Sequence, residues 1–182
     1  MAGIDCDETS GLINSLGSSS FSALTQWDTN TLIPYNSRLS SPYSWSSRHN
    51  QVNYDWLQVD LGAVHALERV ATIGRGNSNQ YVTHYKIYYS IDASTWQWVL
   101  NEDNSERVFV GNVNYNELVE RDIGYVIVAR YVRIYPTAFV NHMSLRWEVY
   151  GCAVGTYLYI LLSIQKHRNS YTRCVTLFFL VI

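Results

Sequence analysis

The sequence has little charge, and its charges follow no pattern. Of the 182 residues only 15% are charged, and the 13 basic and 15 acidic side chains leave a net charge of −2. Because these side chains are scattered along the chain, no basic face suited to a phosphate backbone is expected. The charge pattern therefore argues against a nucleic-acid partner.

The motifs of the common catalytic and metal sites are missing as well. The chain contains no nucleophile elbow, His-Glu-x-x-His motif, P-loop or dinucleotide-binding glycine motif, and no cysteine and histidine cluster with zinc spacing. The five histidines are spread out, and the acidic residues do not pair at telling spacings. We therefore predict that the protein is not an enzyme and has no catalytic residue.

Signals for export are also missing from the sequence. Residues 1–5 have neither the basic start nor the apolar stretch of a secretory signal, and no Asn-x-Ser/Thr glycosylation acceptor occurs. From these absences we expect the chain to be a fragment of a longer protein or an incomplete gene product.

Aromatic side chains, in contrast, are plentiful. Fifteen Tyr and six Trp stand against two Met, and aromatic and β-branched residues favour the pleated, half-buried surface of a strand. No stretch before residue 153 keeps a 3.6-residue apolar period over three turns. Composition and periodicity together predict an all-β fold.

The clearest strand pattern lies in residues 55–61. Leu57, Val59 and Leu61 alternate with polar or amphipathic residues and so share one face. Gly62 follows directly and is expected to end the strand.

Three further regions have strand patterns. Residues 81–90 and 96–100 predict a hairpin across a short polar connection. Residues 126–135 place Val126, Val128, Val132 and Ile134 on one side, and Pro136 is expected to stop that strand. Leu145, Trp147 and Val149 predict a closing strand. Short strands at this spacing are typical of a sandwich or barrel.

The cysteines bracket the patterned region. Cys6 and Cys152 lie at its two ends, whereas Cys174 lies in the C-terminal tail. The spacing alone is compatible with a Cys6–Cys152 disulfide and equally with unpaired thiols in a reducing cytosol.

The last part of the chain, residues 153–182, changes character. Two apolar runs flank a polar insert, and neither approaches the roughly 20 apolar residues that span a bilayer. We expect this tail to lie outside the domain, as a non-native continuation rather than a membrane anchor.

A set of motifs in fixed order resembles a known family. Residues 56–62 read WLQVDLG, similar to the signature of discoidin domains of the coagulation factor 5/8 type C family. Further segments resemble the family in order along the chain: residues 36–39 (NSRL), 81–92 (YVTHYKIYYSID), 108–112 (VFVGN), 129–136 (ARYVRIYP) and 145–152 (LRWEVYGC).

This resemblance implies an eight-stranded jelly-roll β-sandwich over residues 1–152 and an extracellular location. It also implies that the first and last cysteines, Cys6 and Cys152, are joined. Family ligands include cell-surface glycans, anionic phospholipid head groups, collagen and peptide carboxyl termini, which contact three loops at one end of the barrel. The matching loops here are residues 22–33, 40–48 and 74–80.

Side chains in these loops are the candidate ligand contacts. They offer apolar, stacking, cationic and amide groups, and they are Leu24, Trp27, Tyr43, Arg48, Arg75, Asn77 and Asn79. No cofactor is expected, and Asp28 in the first loop is only a weak basis for a structural calcium site. Trp45 and Trp56 are expected to pack the barrel end instead.

Several positions outside the candidate contacts also lead to expectations. Arg38, Arg130 and Arg133 lie in scaffold motifs, and we expect them to pair with acids such as Asp60 or Glu148. Two positions differ from the family's usual residues: Ala93 replaces a turn glycine, and Ile73 replaces a glutamine at the base of the third loop.

The leading functional hypothesis is a non-catalytic extracellular adhesion module that binds a glycan or a matrix protein. Two alternatives stay open: a module for anionic phospholipid surfaces, and an accessory carbohydrate-binding domain of a larger enzyme.

Overall fold

The computed structural model describes residues 9–154, and these residues form an almost entirely β structure. The strands, numbered in chain order, are β1 (Ser10–Gly11), β2 (Phe21–Ala23), β3 (Trp45–Ser46), β4 (Leu57–Ile73), β5 (Tyr81–Ser90), β6 (Trp96–Trp98), β7 (Phe109–Val110), β8 (Val119–Val140) and β9 (Ser144–Ala153). Two single-turn 3-10 helices, Ser18–Ser20 and Pro34–Ser37, lie between them. The all-β prediction is confirmed. The described region contains nine strands rather than the eight expected, and three of them, β1, β3 and β7, are two-residue segments paired to longer strands.

Two long strands, β4 and β8, build both layers of a sandwich. The first part of β4 pairs with the second part of β8, which continues to β5. The second part of β4 pairs with the first part of β8 on one side and with β9 on the other. All of these pairings are antiparallel. Each long strand therefore runs away from one end of the sandwich, crosses between the layers, and returns to the same end.

The crossing in β4 lies at Gly62, which does not end the strand as the sequence predicted. Asp60 pairs with Tyr131 and His65 with Ala129, so residues 61–64 lie opposite a single residue of β8, Arg130. Gly62 has φ +77°, a backbone conformation that glycine adopts without steric cost. The result is a wide bulge that bends the strand rather than terminating it.

Side chains at the crossing hold this bulge. Arg130 donates from Nε and Nη2 to the two carboxylate oxygens of Asp60, at 2.7 and 2.9 Å. The backbone N–H of Gly62 donates to Asp60 Oδ1. The Arg130 guanidinium lowers the pKa of the Asp60 carboxyl, although burial opposes this. The expected pairing of Arg130 with Asp60 is confirmed.

The crossing also explains an error in the predicted face of β8. Val132 and Ile134 are buried as expected, but Ile127 and Ala129 are buried in place of Val126 and Val128. The inner side changes by one residue where the strand passes from one layer to the other. A strict two-residue alternation cannot show such a change.

The strand β8 also continues through Pro136, which was expected to stop it. Pro136 lies two residues past Ile134, the last β8 residue paired with β4, and beside a register irregularity with β5 at Tyr85. A proline, which lacks an N–H, is tolerated at such an irregular position.

The core lies between the layers. Leu57, Val59 and Leu61 of β4 are buried as predicted. From β9, Leu145, Trp147 and Val149 are buried, and Trp45 of β3 is buried with them.

Trp56 does not pack the barrel end; it lies half-buried on the outer face of the sheet. The guanidinium of Arg133 lies 4.2 Å from the centre of the Trp56 ring and 3.9 Å from that of Trp96. Arg133 Nε donates to Gln58 Oε1, at 2.7 Å. The prediction that Arg133 pairs with an acid is therefore wrong, because two indole rings and an amide surround it.

The expectations for Arg38 and Glu148 also need correction. Arg38 stacks on the Tyr35 ring, 3.7 Å from its centre, and donates to the Tyr35 carbonyl. Glu148 accepts from the backbone N–H groups of Ile13 and Asn14 rather than from an arginine. Burial raises the pKa of the Glu148 carboxyl, and these backbone donors partly offset the effect. Backbone N–H groups can satisfy the hydrogen-bond acceptors of a carboxylate in place of a cation. Sequence motifs do not show which backbone groups will do so.

Cys152, in β9, is disulfide-bonded, and its partner lies outside the described residues. The predicted partner Cys6 and the third cysteine, Cys174, both fall outside that range, as does the predicted tail from residue 155 onward. Between residues 9 and 154 no helix is long and apolar enough to cross a membrane.

The hairpin of β5 and β6 is confirmed, with Ser90 opposite Trp96. Its turn contains Ala93 at φ +60°, at the position where the resemblance led us to expect glycine. Asp92 Oδ1 accepts from the N–H groups of Ser94 and Thr95 and holds the turn. These hydrogen bonds lower the pKa of the Asp92 carboxyl.

We predict that Ala93→Gly stabilises the domain by about 0.5 kcal/mol, because it relieves a left-handed backbone at a modest entropic cost. Urea unfolding measures the change. Ala63→Gly is the matched control, since Ala63 lies exposed in β4 and has no positive φ. The control should be destabilised, and a loss of stability in both variants would contradict the prediction.

We also predict that Gly62→Ala destabilises the domain by about 1 kcal/mol, because a Cβ is disfavoured at φ +77° although no atom lies within 4 Å of it. Gly17→Ala provides the comparison, since Gly17 is equally open but has φ −74°. If thermal unfolding showed the same change in both variants, the bulge would not depend on glycine.

Candidate ligand-binding site

The three predicted loops meet at one end of the sandwich. The third loop leaves β4 at Ile73, which pairs with Arg146 near the start of β9. The second loop ends in β3, whose Trp45 pairs with Leu145. In the first loop, the backbone N–H of Trp27 donates to the Ser46 carbonyl. All three loops therefore lie next to the start of β9, the first of them through β3.

The first and third loops and the connection between β8 and β9 line a small pocket of about 140 Å³. Its lining consists of Trp27, Leu32, Arg75, Gln80 and His142. Trp27 is 54% exposed, whereas Leu32 is buried and forms an apolar floor. Two of the seven candidate residues, Trp27 and Arg75, thus lie together in one pocket.

Amide groups rather than carboxylates hold the Arg75 side chain. Its Nε donates to Asn77 Oδ1 at 2.7 Å, and Nη1 donates to Gln80 Oε1 at 3.1 Å. The three ion pairs of residues 9–154 do not include Arg75. Its positive charge is consequently available to a polar or anionic ligand group.

The other candidates lie outside the pocket lining. Asn77 orients Arg75, and the Asn79 carbonyl accepts from Asn141 Nδ2. Leu24, Tyr43 and Arg48 are exposed on the first two loops. The structure does not bring these last three side chains into the pocket.

Two side chains of the scaffold tie the loops to one another. The buried carboxylate of Asp55 accepts from the hydroxyls of Thr25 and Ser47, which belong to the first and second loops. Arg146 donates from Nη1 to the Ser41 carbonyl and from Nε to the Gly74 carbonyl, and so joins the second and third loops. Burial lowers the pKa of the Arg146 guanidinium. The loops are therefore cross-linked rather than independent.

Sequence reasoning missed His142, which lies in the connection between β8 and β9. The His142 ring packs against Trp27 edge to face, with 5.1 Å between ring centres. Its Nδ1 lies 2.9 Å from Asn50 Nδ2, and its Nε2 lies 2.8 Å from the Ser47 carbonyl. The signal that was available is positional, because this short connection joins two predicted strands at the loop end.

Asp28 holds the first loop through hydrogen bonds. Oδ1 accepts from the N–H groups of Asn30, Thr31 and Leu32, and Oδ2 accepts from the Thr31 hydroxyl. Burial opposes ionisation, but these hydrogen bonds prevail and lower the pKa of Asp28 to about 2. In the described part of the chain no three His, Cys, Asp or Glu side chains come together as metal ligands.

The pocket has the chemistry of binding. It offers one exposed indole, one guanidinium and one amide above an apolar floor, the combination that lines most small-ligand sites. Both ring nitrogens of His142 have protein partners, so the ring lines the pocket without a free nitrogen.

The fold is that of a β-sandwich binding module, and the pocket at its loop end is the candidate site. A family model for the F5/8 type C domain matches residues 17–149. The chain belongs to the F5/8 type C, or discoidin, domain family.

Curated relatives support this assignment. Neurexin-4 of Drosophila melanogaster is 33% identical over 119 residues, which cover 65% of this chain and 9% of that protein. Neuropilin-1 of Gallus gallus is 34% identical over 65% of this chain and 15% of its own length. Lactadherin of Mus musculus is 33% identical over 81% of this chain and 34% of its own length. The chain thus spans between a tenth and a third of these relatives.

Solved structures confirm the jelly-roll fold. Discoidin II from Dictyostelium discoideum superposes with a TM-score of 0.60 at 26% identity, covering 75% of this chain and 55% of that one. A family 32 carbohydrate-binding module from Clostridium perfringens NanJ, solved in complex with galactose, gives a TM-score of 0.59 at 18% identity. That likeness covers 79% of this chain and 99% of the module, and it shows the shared fold.

We predict that Asp28→Ala destabilises the domain by about 1 kcal/mol, because several loop donors lose their acceptor. The pKa of Asp28 in the folded protein, about 2, lies below the ordinary aspartate pKa of 3.8. The stabilisation is therefore complete above about pH 4 and is lost as pH falls through 2. Chemical unfolding of the unchanged protein and of Asp28→Ala at several pH values tests this. A difference in unfolding free energy that stayed constant down to pH 2 would contradict the prediction.

Proposed function

We propose that this chain is a non-catalytic recognition module that binds a glycan or an extracellular matrix protein at the loop-end pocket. The observation that carries the proposal is the placement of an exposed Trp27 beside Arg75, whose charge no carboxylate in the described region neutralises. We further propose that the module ends just past Cys152, where β9 ends at Ala153, and that the rest of the tail lies outside it.

The pocket chemistry favours a sugar or a flat polar side chain as the bound group. The exposed Trp27 indole offers an apolar surface, while Arg75 and Gln80 can hydrogen-bond hydroxyls or carboxylates. The Arg75 fork is held by Asn77 and Gln80 before any ligand arrives. Such preorganisation lowers the entropic cost of binding.

An extracellular location is part of the proposal. Cys152 is disulfide-bonded, and structural disulfides persist mainly in oxidising environments such as the cell exterior. Adhesion through this module would then occur at the cell surface or in the matrix.

A specific observation also favours one alternative, an anionic phospholipid surface. Leu24 and Trp27 are large apolar side chains, 39% and 54% exposed on the first loop, and apolar side chains at loop tips can enter a lipid interface. The remaining alternative, an accessory domain of a larger enzyme, depends on the neighbouring domains.

We predict that Trp27→Ala and Arg75→Ala each weaken ligand binding at least tenfold, which corresponds to about 1.4 kcal/mol. A glycan array that includes galactose-terminated sugars, with collagen and phosphatidylserine vesicles alongside, would identify the ligand and rank the variants. Galactose is the first probe because the NanJ module of the same fold was solved with it.

Tyr43→Ala and Arg48→Ala are the matched controls, because both side chains are exposed on neighbouring loops but do not line the pocket. They should leave the affinity within about twofold of the unchanged protein, well inside the tenfold that marks 1.4 kcal/mol. If the controls lost binding while the pocket variants retained it, the site would lie elsewhere on the loops. Vesicle binding that depended on Leu24 and Trp27, without binding to sugar or collagen, would favour the phospholipid alternative.

A further inference from the structure

The hydrogen bonds of Asn50 define the protonation state of His142. Asn50 Oδ1 accepts from the backbone N–H of Met143, at 2.9 Å, so the amide oxygen must face Met143. Asn50 Nδ2 is then the donor toward His142 Nδ1. A nitrogen that accepts a hydrogen bond carries no proton, and the His142 proton therefore lies on Nε2, which donates to the Ser47 carbonyl.

Protonation of His142 conflicts with this arrangement. A second proton on Nδ1 would point at the Asn50 amide nitrogen, and two donors would face each other. Rotating the Asn50 amide would satisfy the ring but would set its NH₂ group against the Met143 N–H. The backbone N–H of Asn50 is itself held by the Ser47 hydroxyl, so the residue cannot move away freely. No orientation of the amide satisfies both partners of a charged His142.

The residue concerned, His142, lies in the wall of the candidate pocket. The His142 ring packs nearly perpendicular to the Trp27 ring and forms part of the pocket lining. A ring displaced by protonation would remove the support of the exposed indole. It would also release the Ser47 carbonyl, which lies in the second loop beside the backbone contact between Trp27 and Ser46.

The charged groups on the surrounding loops do not favour a charged imidazole. Asp28 and Asp55 use both carboxylate oxygens within their own loop networks. On the third loop, Arg75 lines the same pocket and places a positive charge there. The remaining groups, Arg48 and His49, are exposed on the second loop and can add only further positive charge.

We propose that neutral His142, held by Asn50, positions Trp27 for ligand binding, and that protonation of His142 releases Trp27 and weakens binding as pH falls from 7.5 to 5.0. The part of the proposal that concerns affinity rests on the proposed function, whereas the link between His142 and Trp27 does not require a ligand. Histidine is the side chain that ordinarily changes charge in this pH range. Asp28 stays ionised throughout, since its pKa is about 2.

The first experiment uses the ligand-free full chain labelled with ¹⁵N. Long-range ¹H–¹⁵N spectra at pH 7.5 should show His142 with its proton on Nε2 and none on Nδ1. As pH falls, the Trp27 indole resonance should shift with the same midpoint as the His142 ring. A proton on Nδ1 at pH 7.5, or a Trp27 signal that does not follow His142, would overturn the proposal.

Two variants separate this effect from general acid sensitivity. Asn50→Asp keeps an oxygen toward Met143 and places a second oxygen toward His142, so it accepts a hydrogen bond from the protonated ring. His142→Gln keeps a neutral donor for the Ser47 carbonyl and does not titrate. In both variants Trp27 should no longer respond to pH between 7.5 and 5.0. His49→Gln is the matched control, because His49 is exposed, and it should retain the Trp27 response.

The second experiment measures binding of lactose, a galactose-terminated probe, at pH 7.5 and 5.0. We expect binding by the unchanged protein and by His49→Gln to weaken at least tenfold at pH 5.0. Binding by Asn50→Asp and His142→Gln should change less than twofold. Lactose binding that is equal at both pH values in the unchanged protein would overturn the proposal. Lack of binding at either pH would contradict the proposed sugar ligand instead, and the Trp27 titration would then decide the role of His142.

Discussion

The hydrogen-bonded ion pair between Asp60 and Arg130 lies where β4 and β8 cross from one layer of the sandwich to the other. Because both strands turn there, the two ends of each strand lie together at the end of the molecule away from the crossing. Leu57 and Ile73, the two ends of β4, consequently both lie next to loops of the candidate site. A straight strand of 17 residues would extend more than 50 Å and would separate those loops. The bulge at Gly62 is thus the constraint that brings the recognition loops together.

This dependence gives a physical reading of the WLQVDLG motif. Leu57, Val59 and Leu61 fill the core, Asp60 accepts from Arg130, and Gly62 supplies the φ of +77° that the bend requires. Alternation predicted the buried face because one side of the strand is packed and the other is not. It could not predict the bend, because an isolated glycine after alternating residues is equally typical of a strand end. The wrong face assigned to Val126 and Val128 has the same cause, since the inner side of β8 changes at the crossing.

The candidate site could likewise be predicted only in part. The resemblance located three loops at one end, and the structure brings Trp27 and Arg75 from two of them into one pocket. It did not reveal Gln80 and His142, whose roles depend on contacts between segments far apart in sequence. Asn50 and His142 are 92 residues apart, and Asp55 reaches back 30 residues to Thr25. Polar side chains of this kind look like ordinary loop residues until tertiary structure gives them partners. The stack of Trp56, Arg133 and Trp96 was missed for the same reason.

The size of the pocket limits the affinity that a single candidate site can provide. Ligand pockets for drug-sized molecules usually enclose about 300–1,000 Å³, whereas this one encloses about 140 Å³. A pocket of that size accommodates the terminal group of a ligand, so the affinity of a single site should be modest. The matched regions of the curated relatives occupy only a tenth to a third of longer chains, and a module within such a chain can act together with other binding domains. Linked sites gain effective concentration and can exceed the affinity of each alone by 10²–10⁴-fold. In such a chain, losing the edge-to-face contact between Trp27 and His142 would reduce the share of this pocket in the combined affinity of the linked sites.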